Sequence, residues 1–225
     1  MECQELSERF LAAQLRGDRR AGLRVIMEEG LARGVGIPDL HQNVIRRAQL
    51  EIGRLWESNS ITVAREHVAT AIAHLALAQL YPHLPRAEPS GHRVVLACVH
   101  GEHHDLAARI VCDFLEMAGL DVSFLGADNP PGELIAAVKE HDAHALALSV
   151  TVTYHLDALE DAVRRIRAEF GDEFPVYAGG RALEARDEAW ANSIGLTGIG
   201  RAPDETSLVL VRDLEPLIDG RGAVP

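Results

Sequence analysis

Few cysteines, no clustered cations and no long apolar run are the first features of this sequence. The three cysteines, Cys3, Cys98 and Cys112, form no CxxC pair, which excludes a disulfide framework. Lys and Arg number 22 against 34 Asp and Glu, a formal charge of −12 spread along the chain. Nucleic-acid and anionic-membrane surfaces need clustered cations to displace counterions, so neither DNA binding nor membrane attachment is expected. No apolar stretch approaches the ~20 residues of a membrane span. The opening MECQELSERF lacks the basic-then-apolar order of a signal peptide, and a cytoplasmic location is expected. The usual catalytic signatures are missing as well. Ser149 has no elbow glycines, Cys98 lies inside a predicted strand, HGEHH has Gly101 where the zinc-helix motif His-Glu-x-x-His needs Glu, and no glycine-rich phosphate loop follows the first strand.

What is present is an ordinary globular composition, 47% hydrophobic and 25% charged over 225 residues, with 11 histidines. That length and apolar content suffice for one large or two small cores. The chain divides at Tyr81 to His92, where YPHLPRAEPSGH holds three prolines and a glycine and reads as a linker. Before it, apolar periodicity and caps predict four helices: about Glu5 to Arg16, Asp18 (N-cap) to Gly30, Pro38 to Trp56, and Thr62 to Tyr81. Short joints between them predict a four-helix bundle. After it, short apolar runs at Arg93–Val99, Val122–Leu125, Ala145–Val150, Val176–Ala178 and Leu196–Ile199 alternate with amphipathic stretches, the last at Asp204–Leu217. Such alternation predicts an α/β, flavodoxin-like, doubly wound parallel sheet. The expected domains are residues 1–86, a helical cap, and 92–218, the sheet domain. The end, Asp219–Pro225, reads as a frayed terminus.

In a doubly wound sheet, ligands gather at the carboxyl ends of the strands. After the first predicted strand comes HGEHHDLAA, with Glu102 and His104; after the third, Ser149-Val150-Thr151; after the fourth, Gly179-Gly180. Any one of these is ordinary as a loop residue, cap or tight turn. Together, Glu-x-His-x-x-Ala, Ser-x-Thr and Gly-Gly resemble the cobalamin-binding domain family, whose usual form is Asp-x-His-x-x-Gly, Ser-x-Leu and Gly-Gly. The resemblance spans roughly Arg93 to Gly200. It implies that His104 coordinates cobalt from below, that Ser149, in its Ser-x-Thr151 segment, bonds the buried benzimidazole, and that Gly179 and Gly180 admit the nucleotide tail. Glu102 stands where the family has Asp, and Ala107 where it has Gly. His103 is a neighbour that the spacing disfavours.

The helical half carries a second pattern, LWESNSITVAREHVAT, in which Trp56 is followed nine residues later by Glu66-His67. On one continuous helix Trp56 and Glu66 would lie roughly 15 Å apart along the axis. Ser58-Asn59-Ser60 is a natural break, and Ser60 or Thr62 a natural N-cap, so a turn can bring them together. This motif in a bundle ahead of a cobalamin domain resembles adenosylcobalamin-dependent photoreceptors, which include light-released repressors. The resemblance implies that Trp56, Glu66 and His67 enclose the adenosyl group, and that visible-light photolysis of adenosylcobalamin changes the domain or oligomer arrangement. It makes the chain a regulator rather than an enzyme, acting through a protein partner or homo-oligomer. The repressors carry a DNA-binding domain ahead of the bundle, whereas the bundle here is expected to begin within the first few residues. They also carry His directly after the Trp, where this sequence has Glu57, leaving His67 or His74 as candidate upper ligands. Photocobilins, of similar layout, also bind a linear tetrapyrrole such as biliverdin; the remaining histidines, His83, His92, His100, His103, His141, His144 and His155, leave room for one without a diagnostic spacing. The competing reading is a corrinoid methyl carrier of a methyltransferase system.

Overall fold

The structure is a computed structural model, and it describes residues 3–200, 203 and 209–214. The chain forms two compact units, Met1–Pro85 and Arg86–Pro225.

The first unit is helical. Helix α1 (Cys3–Arg16) is followed by α2 (Arg19–Arg24), whose predicted cap holds, since the Asp18 side chain accepts from the Ala21 amide. The helix continues through a wider π-helical stretch, Val25–Gly30, and a tight turn, Leu31–Arg33, that ends at Gly34 with φ +87°. A second long helix comprises α3 (Ile37–Asp39), a π-helical stretch Leu40–Arg46, and α4 (Arg47–Glu57). Helix α5 (Val63–Leu80) opens at Thr62, whose side chain accepts from the Arg65 amide. Phe10, Ile26, Leu40, Ile52, Ile72 and Leu80 are among the side chains that fill the core. The helices approach closely: a Cβ on Gly22 would sit 2.8 Å from the Ile72 side chain, and one on Gly30 2.7 Å from Leu40. Buried polar groups are tied to backbone carbonyls, Gln14 to Ala69 at 2.8 Å and His41 to Ile37 at 2.9 Å. Those bonds offset the desolvation that burial imposes on them.

The second unit is a five-stranded parallel sheet in the order β2-β1-β3-β4-β5. Its strands are β1 (Arg93–Val99), β2 (Asp121–Asn129), β3 (Ala145–Ser149), β4 (Val176–Gly179) and β5 (Gly198–Gly200). They alternate with α6 (Leu106–Met117), α7 (Pro131–Glu140), α8 (Leu156–Phe170) and α9 (Glu188–Ser193). Because side chains alternate across a strand, β1 sends Val95, Ala97 and Val99 to one core with α7 and α8. It sends Val94, Leu96 and Cys98 to the opposite core with α6, Leu210 and Leu214. Both faces are covered, as near-continuous apolar strands require. Strand β2 is longer than the apolar run that predicted it, since as an edge strand it needs no continuous apolar sequence, and its pairing with β1 is interrupted by bulges. The second part of the predicted linker is pinned to the sheet unit: Ala87 and Ser90 donate to Met117 and Gly119 carbonyls, and Arg86 pairs with Glu116. Residues 209–214 are helical; the rest of the predicted Asp204–Leu217 helix, apart from Pro203 just before it, and the end Asp219–Pro225 lie outside the described residues.

Candidate functional site

From β1 the chain turns to β2 on one side of the sheet and later returns to β3 on the other. The loops after β1 and β3 therefore flank the point where strand order reverses, the usual ligand position in such sheets. The first loop is made rigid locally. Gly101 takes φ +79°, Glu102 donates its amide to Val99, and Asp128, itself at φ +55°, accepts from the Gly101 amide and from His100 Nδ1, both at 2.8 Å. Glycine is needed at 101 because L side chains rarely adopt that conformation.

The Glu102 side chain is fully buried. Its Oε1 lies 2.5 Å from His104 Nδ1 and accepts from the His104 amide at 2.9 Å. Its Oε2 accepts from the Thr151 and Val152 amides at 2.8 and 3.0 Å and lies 3.2 Å from His155 Nδ1. Burial opposes ionisation, but hydrogen bonds from the ring and amide of His104, and from the Val152 and Thr151 amides, outweigh it and hold the carboxyl at about 2. An ionised carboxylate only accepts, so the His104 proton sits on Nδ1 and the lone pair on Nε2. The His104 ring is 54% exposed. One imidazole, oriented and made more basic through its second nitrogen, is the donor that a ring-held transition metal takes from a protein. The residues here fit that role.

The other predicted residues fall on the same sheet edge. Ser149 is buried, paired in register with Cys98 and Gly179, and its hydroxyl lies against the Cys98 thiol. Burial pushes that thiol up to about 12, so Cys98 is not a nucleophile at neutral pH. Thr151 contributes its amide to Glu102. Gly180 takes φ +121°, and a Cβ there would lie 2.1 Å from the Val150 carbonyl oxygen. This chain thus requires glycine at 180 for its own backbone. His103 is exposed, and no hydrogen bond ties its ring to Glu102. His155 was read from the sequence as one of the surplus histidines; only the fold joins it to Glu102, and no spacing marks a contact 53 residues apart.

In the helical unit, the turn Ser58–Ser60 folds α4 against α5, with Asn59 at φ +56° and the Ser60 amide donating to Leu55. Gln49 donates to Thr70, and Thr70 to Glu66 at 2.7 Å. With 49 opposite 70 in this antiparallel pair, 56 falls opposite 63, about 5 Å along the axis from Glu66. Trp56 is 43% and Val63 52% exposed. His67 Nε2 lies 3.6 Å from Glu66 Oε2, and its side chain is 73% exposed. The turn therefore puts the large apolar group and the acid–imidazole pair at one end of this helix pair. Among the described residues no helix is long and apolar enough to cross a membrane.

Two family models match. One described as a B12 binding domain covers residues 92–211, more than half of the chain, and a second of the same description covers 6–81. The HTH-type transcriptional repressor CarA of Myxococcus xanthus is 36% identical over 131 residues, 56% of this chain and 43% of the repressor. Its relative CarH from the same organism is 31% identical over 137 residues, 60% of this chain and 44% of the repressor. The chain thus spans less than half the length of either repressor. Dimethylamine corrinoid protein 3 of Methanosarcina acetivorans is 27% identical over 172 residues, 76% of this chain and 73% of that protein. The monomethylamine corrinoid protein of Methanosarcina barkeri shares the fold, with a TM-score of 0.80 at 18% identity over 94% of this chain and all of that one. With a matching domain in each half and an oriented imidazole at the sheet's switch point, the chain belongs to the B12-binding domain family and is a cobalamin-binding protein.

Proposed function

We propose that this chain is an adenosylcobalamin-dependent light sensor whose response is a change in domain or oligomer arrangement. The observation that carries the reading is that one end of the α4–α5 pair holds both the half-exposed Trp56 and the Glu66–His67 acid–imidazole pair. The similarity to CarA and CarH supports it. His104 would hold cobalt through Nε2, with Glu102 fixing its proton on Nδ1. Ser149, Thr151, Gly179 and Gly180 would receive the nucleotide tail, and Trp56, Glu66 and His67 would cover the adenosyl group. When bound, adenosylcobalamin supplies a cobalt–carbon bond that visible light cleaves. These residues would bind it and turn its loss into a surface change. The charge of −12 is unfavourable for DNA phosphates, so the output is assigned to a protein partner or a second copy of the chain. The test is dark-prepared protein loaded with adenosylcobalamin, its absorption spectrum and elution volume recorded before and after green light. Both should change; a spectrum that stays constant overturns the reading. Co-production with biliverdin tests for a second chromophore, which a red-absorbing band would reveal.

A corrinoid methyl carrier is the second reading, favoured by the match to the dimethylamine corrinoid protein over about three quarters of each chain. A carrier must expose its upper face to partner enzymes, whereas Trp56, Glu66 and His67 suit a lid. Methyl transfer from the loaded protein to a thiol or tetrahydrofolate would reverse the order of the two readings.

A further inference from the structure

The Glu102 carboxylate serves two imidazoles, and only one belongs to the residue assigned to cobalt. His155 ends the short turn Thr153–His155 that leads into α8, and its side chain is 18% exposed. Its Nδ1 faces Glu102 Oε2 at 3.2 Å, and because a carboxylate only accepts, that nitrogen also carries its proton. The ring also lies near Gly101 and Tyr154. A Cβ on Gly101 would approach within 3.4 Å of it, and the Tyr154 ring meets it edge-on at 5.7 Å. Oε2 therefore has three donors from one loop, the Thr151 and Val152 amides and His155, while Oε1 has two from the other, both of His104. The orientation of a carboxylate gripped at one oxygen decides where its second oxygen points. Partners of a ligating histidine typically alter metal affinity about 10- to 100-fold when removed.

We propose that His155 is a positioning residue for His104: by donating to Oε2 of Glu102 it holds Oε1 in place to accept the hydrogen bond from His104 Nδ1–H, and so keeps the Nε2 lone pair available and fixed in direction. The inference rests on the reading of His104 as the lower ligand. It also couples that ligand to the loop after β3, since the donors to Oε2 all come from residues 151–155.

The test uses the full chain loaded with adenosylcobalamin in the dark, for wild type, His104→Ala, His155→Phe and His155→Asn. Histidine ligation is read from the absorption spectrum as pH is lowered, and affinity from titration with the cofactor. His155→Phe should bind about 10-fold more weakly, and its histidine-ligated spectrum should be lost at higher pH than in wild type. His155→Asn, whose side-chain amide can replace the ring Nδ1 donor, should recover most of both. A His104-dependent spectrum and pH midpoint that His155→Phe leaves unmoved overturn the role of His155. So does an Asn variant no better than Phe when both are folded by circular dichroism. Identical spectra for wild type and His104→Ala overturn the ligand reading itself. Should His155→Phe fail to fold, nuclear magnetic resonance of wild-type protein without cofactor decides. Two carboxylate-bound imidazole Nδ1 protons, from His104 and His155, are expected, and the His104 proton alone would overturn the proposal.

Discussion

Replacing Gly180 with alanine should unfold the sheet unit far more readily than so small a change suggests. Gly180 lies at φ +121° and ψ 167°, a region open essentially to glycine alone. The added Cβ would stand 2.1 Å from the Val150 carbonyl oxygen and 2.8 Å from its carbon. Both are backbone atoms and cannot rotate away. The conformational strain costs about 1–3 kcal/mol. Moving Val150 would also weaken the 2.9 Å bond from its amide to Gly179, worth about 1 kcal/mol. A loss of about 3 kcal/mol is a large fraction of the 5–15 kcal/mol that stabilises a typical domain. Trp56 and Trp190 are the two tryptophans, one in each unit. On a Trp56→Phe background, Trp190 fluorescence in a urea titration reports the sheet unit alone. The control is Gly132→Ala in α7, where a Cβ meets nothing within 4 Å and should stabilise by up to about 1 kcal/mol. The reasoning fails if Gly180→Ala stays within about 1 kcal/mol of wild type, since strain alone should exceed that. Because Val150 directly precedes the two amides that hold Glu102, a folded Gly180→Ala variant should also bind cobalamin more weakly.

Three further outcomes are expected. Glu102 is held at about 2 instead of 4.5, so its ionised form stabilises the fold above pH 4.5 by about 3 kcal/mol, a benefit lost as pH falls toward 2. Protein without cofactor should therefore lose about 2 kcal/mol more than Glu102→Gln between pH 6 and 3, and equal losses in urea titrations would refute this. His92 is buried with both ring nitrogens unpaired, and burial together with His144 holds its pKa below the usual 6.5. It folds neutral and protonates on unfolding, so acidification below 6.5 should cost wild type up to about 1.4 kcal/mol per pH unit; His92→Leu should flatten that slope in thermal melts. Thr62→Ala removes the cap of α5 and should cost the helical unit about 1 kcal/mol, read as a lower urea midpoint by circular dichroism.

The two halves were legible in the sequence because each relies on short-range patterning. Helix α1 announces itself by apolar residues at helical spacing and α5 by an unbroken run rich in Ala and Leu, and Asp18 and Thr62 cap where their side chains dictate. Strands β1, β3 and β4 are short apolar runs, which only a sheet covered on both faces would bury. The extent of β2 was not legible, because an edge strand with one partner carries mixed residues and bulges. His104, Ser149 and Gly179-Gly180 could be picked out because strand ends are visible in the sequence and because their spacing resembles a known family.

What the sequence by itself determined was the order of elements, the division into a helical and a sheet unit, and the set of residues that end on one sheet edge. Tertiary structure alone decided how that edge is wired. The parallel crossover places residues 149–155 beside residues 101–104, so Glu102 meets amides and an imidazole some 50 positions away. No local periodicity encodes such a contact. The next crossover, through α8, brings residue 180 against Val150, so the backbone itself demands glycine there. The fold also separates His155 from the other surplus histidines: no spacing in the sequence marks it, and only the tertiary structure puts it 3.2 Å from the Glu102 carboxylate.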